Sequence, residues 1–228
     1  MTEFAKIIRE NTEKQLISKF IELFRAKLNK KNNKSRRFSF VLTGGKSPIE
    51  LYKELSKIKK IGWKNVDFFI GDERYVKESS KNSNINLCKK YLLNNIKIRS
   101  KQIFKIPTNN NSIKKDVENY QKIIRKYFLN KKICFDIVLL GVGNDGHIAS
   151  LFKNNINRRK QNLVDYVKKK DFKRITLTIN CINKSNSIFL WAPGKRKAKI
   201  VQKILSDKKL KYPASYLKKE NNFLFYSN

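Results

Sequence analysis

The only histidine of the chain, His147, follows a short apolar run that ends in glycines and an aspartate. The run spans residues 135–140, and three glycines and Asp145 separate it from the histidine. Such runs are typical of buried strands, and ligands of open α/β sheets bind beyond the carboxyl ends of the strands. Imidazole is the side chain that gains or loses a proton near neutral pH. Acid or base chemistry that requires an imidazole must therefore use His147.

A glycine-rich segment, Thr43-Gly44-Gly45-Lys46-Ser47-Pro48, follows a second apolar run at Phe38–Leu42. Glycines between a strand and a helix let the backbone approach an anion, and the helix N-terminus offers free N–H groups. An ordinary tight turn has the same composition, so this segment alone leaves both interpretations open. It is not a Walker loop, because the spacing G-x-x-x-x-G-K-[ST] is missing.

Charged residues follow a third apolar run, Val66–Ile70, in the order Gly71-Asp72-Glu73-Arg74. This is the position at which a ligand of the sheet would lie, although a solvated loop with an internal ion pair is the simpler interpretation of this segment alone. Arg174 begins another predicted strand, and Lys197 lies in the first turn of a predicted helix. Either cation could pair with a phosphate, although a solvated charge is the default in so basic a chain.

The letters of residues 141–146 also satisfy G-x-G-x-x-G, the dinucleotide-binding fingerprint. That fingerprint needs its third glycine inside a helix, within a βαβ unit whose next strand ends in an acidic residue. Here His147 follows at once, Asn154 and Asn155 interrupt any helix, and no strand is expected to lead into Asp165. We therefore expect no dinucleotide at this segment.

Apolar spacing predicts an alternation of helices and strands along the whole chain. The predicted strands are Phe38–Leu42, Val66–Ile70, 135–140, 174–179, 188–191 and 223–226. The predicted helices are 12–28, one at Pro48, 83–93, 117–128 and Lys195–Leu205. This order indicates an α/β fold of the Rossmann-like, three-layer kind, with a mostly parallel central sheet flanked by helices on both faces. No linker divides the chain, so we expect residues 1–228 to form a single domain.

The charge balance is extreme, with 53 Lys and Arg against 18 Asp and Glu and a formal net charge of +35. Nucleic-acid binding is one explanation, and compositional drift toward Lys, Asn and Ile is the other. The lysines are dispersed apart from runs such as 168–170, and no zinc-finger, RRM or basic-zipper signature is present. We expect nonspecific sticking to nucleic acid at low salt, no specific nucleic-acid partner, and attraction of anionic small substrates.

The three cysteines, Cys88, Cys134 and Cys181, form no C-x-x-C pair, which predicts reduced thiols in a reducing compartment. With a single histidine a His-rich metal site is impossible, and we expect no metal site. No apolar run has membrane-spanning length and residues 1–6 have no signal-peptide core, so a cytoplasmic protein without a membrane partner is expected.

Taken together and in this order, the segments resemble the 6-phosphogluconolactonases. The matching segments are 42–48, 63–76, 83–84, 135–152, 174–178, 194–198 and 212–214. The related glucosamine-6-phosphate deaminases have Asp-Glu-Tyr where this chain has residues 72–74, and Phe-Asn-Glu where it has residues 150–152. Both differences favour the lactonase. The chain departs from the lactonase pattern at Lys46, where the family has Ser, and at Lys153, where it has Pro; Lys46 either contacts the substrate phosphate or reflects drift.

The resemblance implies hydrolysis of 6-phospho-D-glucono-1,5-lactone to 6-phosphogluconate, in the oxidative pentose phosphate pathway, without a cofactor. His147 would transfer the protons, Asp145 or Asp72 would orient it, and Arg74, with backbone N–H groups of residues 141–146, would stabilise the oxyanion. The substrate phosphate would be held by Gly44, Gly45, Ser47, Arg174 and Lys197.

The sequence is also compatible with two other functions: a deaminase/isomerase-type enzyme, and a nucleic-acid-binding protein of the same fold. The expected partner is the small sugar phosphate lactone, and the expected assembly is a monomer or a small homo-oligomer.

Overall fold

The computed structural model describes residues 4–31, 37–109, 112–129, 132–156 and 161–228. The strands, in chain order, are β1 (Lys6–Glu10), β2 (Phe38–Leu42), β3 (Val66–Ile70), β4 (Asp72–Arg74), β5 (Ile103–Phe104), β6 (Ile137–Gly141), β7 (Val164–Lys168), β8 (Lys173–Leu177), β9 (Ile188–Ala192) and β10 (Asn222–Ser227). The α-helices are α1 (Glu13–Lys31), α2 (Ile49–Lys57), α3 (Asn84–Tyr91), α4 (Ile113–Tyr127), α5 (Ile179–Asn183) and α6 (Lys195–Leu205).

Seven strands form the central sheet in the order β1-β10-β9-β6-β2-β3-β5, and every neighbouring pair in it is parallel. The residues of β2 and β3 are buried along their whole length, as expected for parallel strands that are covered on both faces. The predicted α/β class with a parallel central sheet is confirmed.

Helix α1 covers one face of the sheet with aromatic side chains. The ring centroid of Phe20 lies 5.3 Å from that of Phe189 and 5.7 Å from that of Trp191. The ring of Phe24 lies 5.0 Å from that of Phe40. Aromatic pairs at these separations add to the free energy of burial, so this helix packs across three strands of the sheet, β2, β9 and β10.

Helix α4 covers the opposite face. Successive residues of a strand point to opposite faces, so Phe68 and Phe69 of β3 divide between the two layers. The Phe68 ring lies 6.3 Å from Phe40 on the α1 side, whereas the Phe69 ring lies 4.9 Å from Tyr127 of α4. Helices on both faces of the sheet therefore follow from the packing.

A second, antiparallel sheet of three strands, in the order β4-β8-β7, was not expected from the sequence. A single residue, Gly71, separates the end of β3 from the start of β4, so the charged residues of β4 resembled the loop after a strand. The predicted strand 174–179 is β8, which pairs with β4 and β7 rather than joining the central sheet. Strand β7 was not predicted, but Asp165 is its second residue and not its end, so no strand leads into Asp165, as expected.

Strand β1 was also missed, because an edge strand exposes most of its residues and this one carries charges at three of five positions. None of the helices in the described residues combines the length and the apolarity that a membrane crossing would require.

Phe20 gives a test of the α1 layer. Phe20→Ala should lower the free energy of unfolding by about 3–5 kcal/mol, because this fully buried ring leaves a cavity among Phe189, Trp191 and Phe225. Urea unfolding followed by circular dichroism measures the change. Phe223→Ala, at a half-buried ring on β10, is the matched control and should cost less. Equal losses would contradict this account of the packing.

Candidate active site

A cleft of ≈ 470 Å³ opens where β2, β6 and the β3–β4 junction end. All of the predicted site residues except Asp145 line it: Gly44, Gly45, Ser47, Asp72, Arg74, His147, Arg174 and Lys197. The carboxyl ends of parallel strands meet at one edge of a sheet, which brings these distant segments together. Asp145 lies beside the cleft and contacts it through His147.

His147 is held in a tight loop that begins at the end of β6. The N–H of Gly143 donates to the carbonyl of His147 at 2.8 Å, and Val142 pairs with Ile148 across the loop. A Cβ on Gly143 would lie 2.0 Å from Nδ1 of His147, so this position must be glycine for the imidazole to occupy its place. Gly146 lies in a turn with φ 76° and not in a helix, in agreement with the rejection of the dinucleotide motif.

Asp145 is the carboxylate that contacts the imidazole. Its Oδ1 lies 2.5 Å from Nδ1 of His147 and also accepts the backbone N–H of His147 at 3.2 Å. Partial burial alone would raise the pKa of Asp145, but the hydrogen bonds and charge of His147 outweigh it and hold this pKa below its ordinary value. A proton on Nδ1 that is shared with Asp145 leaves Nε2 able to accept another.

Asp72 is placed differently. It is buried, it lines the cleft, and its Oδ2 accepts a hydrogen bond from Ser150 Oγ at 2.7 Å. The backbone N–H of Ser150 donates in turn to Thr176 Oγ1 on β8 at 3.2 Å. Asp72 therefore anchors the segment that follows His147 to the second sheet, whereas Asp145 orients the imidazole directly.

Lys197 fixes the histidine loop from the first turn of α6. Its Nζ donates to the carbonyl of Val142 at 2.6 Å and to Asn144 Oδ1 at 2.9 Å. Burial lowers the pKa of Lys197, and the charge of Asp145 opposes that change. An ammonium has three donors, so one remains for a ligand. This structural task could not be anticipated from the lysine's place in the sequence.

Arg74 and Arg174 are register partners on β4 and β8. Nη1 of Arg74 donates to the carbonyl of Asn82 at 3.1 Å and to Asn84 Oδ1 at 2.6 Å. Nη2 of Arg174 donates to Asp171 Oδ2 at 2.5 Å. Both guanidinium groups are thus oriented by protein acceptors before any ligand arrives.

Two exposed cations of the cleft lining, Lys46 and Arg196, were not among the predicted site residues. Arg196 precedes Lys197 in the first turn of α6, and this position was the only feature of the sequence that could have indicated a place in the cleft. Lys46 lies in the glycine-rich segment at the position where its role was left open. With Arg74, Arg174 and Lys197 they make the cleft electropositive, and Asp72 is the carboxylate among its lining residues.

A larger groove of ≈ 860 Å³ adjoins the cleft and shares His147 and Arg174 with it. Its wall includes Phe152, whose ring centroid lies 4.7 Å from the imidazole, and residues 168–170. The larger volume does not make the groove the better candidate for the active site. The glycine-rich segments and Arg74 line the smaller cleft. Within the described residues, no group of three or more His, Cys, Asp or Glu side chains is placed to hold a metal ion.

The chain is similar to proteins of a known family. Residues 11–225 match the model of the family described as glucosamine-6-phosphate isomerases/6-phosphogluconolactonase. The 6-phosphogluconolactonase of Thermotoga maritima is 32% identical over 201 residues, which cover 87% of each chain. That of Nostoc sp. is 29% identical over 216 residues, which cover 92% of this chain and 90% of the relative.

Solved structures show the same likeness. The crystal structure of the Thermotoga maritima 6-phosphogluconolactonase superposes with a TM-score of 0.84 at 29% identity, over 98% of this chain and 100% of that one. A monomeric glucosamine-6-phosphate deaminase superposes with a TM-score of 0.83 at 20% identity, over 98% and 97% of the two chains, which shows the shared fold alone.

Two glycines test the loop geometry. Gly146→Ala should destabilise more than Gly45→Ala, although both positions have positive φ and share a backbone cost of about 1–2 kcal/mol. A Cβ at Gly146 would lie 2.6 Å from Cδ1 of Tyr212, whereas nothing lies within 4 Å of one at Gly45. The crowding should add about 1–3 kcal/mol. Urea unfolding of both variants measures the difference, and equal losses would contradict the loop packing.

Proposed function

The chain belongs to the family of glucosamine-6-phosphate isomerases and 6-phosphogluconolactonases, and we propose from that premise that it hydrolyses 6-phospho-D-glucono-1,5-lactone to 6-phosphogluconate. This is the second step of the oxidative pentose phosphate pathway. One observation supports this chemistry above the others: the imidazole oriented by Asp145 and a set of cations share one cleft. A phosphorylated lactone needs both, an acid–base group at its carbonyl and positive charge at its phosphate.

His147 moves the protons in the proposed reaction. Nε2 removes a proton from a water molecule as the water oxygen bonds to C1 of the lactone, and the carbonyl becomes a tetrahedral oxyanion. The oxyanion then collapses, the bond between C1 and the ring oxygen breaks, and the imidazolium gives its proton to that oxygen. Asp145 keeps the proton on Nδ1 throughout and stabilises the imidazolium that forms between the two steps.

Arg74 stabilises the oxyanion. Its Nη1 already donates to Asn82 and Asn84, so the guanidinium is fixed in the cleft while its other N–H groups remain for the substrate. The loop of residues 141–146 contributes fewer hydrogen bonds to the oxyanion than its glycines suggested. The N–H groups of Gly143 and Gly146 already donate to carbonyls inside the loop. Asp72 does not contact the imidazole; it accepts a hydrogen bond from Ser150 and so supports the segment that follows His147.

In this proposal the phosphate binds among the cations of the cleft lining. The backbone of Gly44 and Gly45 and the hydroxyl of Ser47 approach it from one segment. The cations that hold it are Arg174 and Lys197, together with Lys46 and Arg196 of the cleft lining. Binding energy from the phosphate places C1 beside the imidazole and limits the positions the lactone can adopt.

We further propose that the lactonase works in the cytoplasm as a monomer or small homo-oligomer, with no specific nucleic-acid partner and no membrane partner. The deaminase/isomerase reaction is the second candidate, because the family that matches residues 11–225 is described as glucosamine-6-phosphate isomerases as well as 6-phosphogluconolactonase. The sequence at residues 72–74 and 150–152 favours the lactonase. The proposed hydrolysis uses water and the side chains of this chain.

His147 gives the first test. His147→Ala should lower kcat for lactone hydrolysis by about 10²–10⁴-fold, because the general base is lost. The rate is followed by acid release at constant pH, with spontaneous hydrolysis of the lactone subtracted, and far-UV circular dichroism checks that the variant folds. A folded His147→Ala variant with a wild-type rate would exclude the proton-transfer role. Ammonia release from glucosamine 6-phosphate by the wild type would favour the second candidate.

Arg196 tests the phosphate side of the cleft. Arg196→Met should raise KM for the lactone by about tenfold or more and change kcat less, since a hydrogen bond to a charged group contributes ~1.5–3 kcal/mol. Lys199→Met on the same helix is the matched control, because it removes the same charge at an exposed position outside the cleft lining. If both variants raise KM equally, the effect belongs to the overall field and not to a phosphate contact.

A further inference from the structure

The side-chain amide of Asn84 lies between two segments that form the cleft, residues 43–48 after β2 and residues 71–74 after β3. Its Nδ2 donates to the carbonyl of Asp72 at 2.7 Å, and its Oδ1 accepts Nη1 of Arg74 at 2.6 Å. The residue is 2% exposed. Both ends of the amide are thus bonded to residues of β4, the backbone of Asp72 and the guanidinium of Arg74 that the proposed reaction needs.

The same amide lies against the glycine-rich segment. A Cβ built on Gly44 would lie 1.9 Å from Oδ1 of Asn84 and 2.0 Å from its Cγ. The backbone of Gly44 can approach this closely only because it carries no side chain. The amide of Asn84 therefore sets the separation between the Gly44 backbone and the guanidinium of Arg74, which lie on two walls of one cleft.

Glu73 holds the backbone around this amide. Its carboxylate is 1% exposed and accepts hydrogen bonds from the backbone N–H groups of Arg74, Asn84 and Ile85, at 2.7, 2.7 and 2.8 Å. A fourth comes from the hydroxyl of Ser83 at 3.1 Å. One buried side chain thus ties the β4 residue that carries the guanidinium to the first turn of α3.

The donor count requires a carboxylate at position 73. Three of the four partners are backbone N–H groups, which cannot accept, so the amide nitrogen of a glutamine would face a donor or leave one unpaired. Burial raises the pKa of Glu73 to about 7, and the three backbone hydrogen bonds oppose that change. Asp72 and Cys88 are the other titratable groups that interact with it, and each disfavours a second negative charge.

We propose that Asn84 and Glu73 are positioning residues for Arg74, and that they keep its guanidinium at the oxyanion during lactone hydrolysis. This inference rests on the proposed function. Arg74 acts on charge that develops in the transition state, so loss of its positioning lowers kcat more than it raises KM. A residue that only supported the fold would change the free energy of unfolding without this asymmetry.

The test begins with Asn84→Ala. Its kcat should fall by about tenfold or more, toward the ~10²–10³-fold effect of losing one oxyanion donor, while KM changes by less than about threefold. Asn86→Ala is the matched control, because Asn86 lies on the same helix and its amide donates to the carbonyls of Ser79 and Ser80, outside the cleft lining. Its kinetics should match the wild type.

A double-mutant cycle with Gly44 tests the contact itself. Gly44→Ala alone should displace the amide and lower kcat, whereas Gly44→Ala in the Asn84→Ala background should cost much less, because the amide that the new Cβ would strike is gone. Additive effects of the two substitutions on kcat would contradict a contact between Gly44 and the amide. Glu73→Gln supplies an independent measurement if Asn84→Ala does not fold, and it should lower kcat by about tenfold with KM nearly unchanged.

The outcomes separate the inference from the proposed function. A folded wild type that leaves lactone hydrolysis at its spontaneous rate overturns the proposed function. An active wild type with a folded Asn84→Ala variant of unchanged kcat, or with a rise in KM alone, overturns the positioning role and leaves the lactonase intact.

Discussion

The cleft depends on the single residue by which the chain leaves one sheet and enters the other. Gly71 donates its N–H to the carbonyl of Leu42 in the central sheet at 2.9 Å and accepts the N–H of Leu177 in the second sheet at 2.8 Å. A Cβ there would lie 3.3 Å from the Leu42 carbonyl oxygen, which leaves little space for a side chain. The charged β4 is thereby held at the carboxyl edge of the parallel strands, with β8 and Arg174 beside it.

The cations of the cleft are fixed mainly by neutral acceptors. Lys197 is held by a carbonyl and an amide, and Arg74 by the same pair of group types. Such partners orient a cation without cancelling its charge, which then remains available to a phosphate or an oxyanion. Arg174 differs, since it is bonded to the carboxylate of Asp171. Orientation before binding reduces the entropy that the substrate must overcome when it arrives.

Prediction from the sequence succeeded where apolar runs are buried on both sides, as in β2, β3 and β9. It missed β1, β4 and β7, whose polar residues reflect edge positions or a role in the cleft. The strand-end clusters could be recognised because glycines and charges directly follow apolar runs. The contacts between them could not, because they depend on how two sheets meet. Nothing in the spacing connected Asn84 to Gly44, or Lys197 to Val142.

The first and the last strands of the sheet are neighbours. β1 has β10 as its partner in the central sheet, and the side chain of Asn222 accepts the N–H of Ala5 across 217 residues of chain. A ribosome releases residues in order, so the β1 segment waits without its partner until nearly all of the chain described here has emerged. Contacts of such long sequence separation slow folding. The edge of this sheet can therefore be completed only after β10 has been synthesised, and the charges on β1 would keep the waiting segment from pairing with other chains.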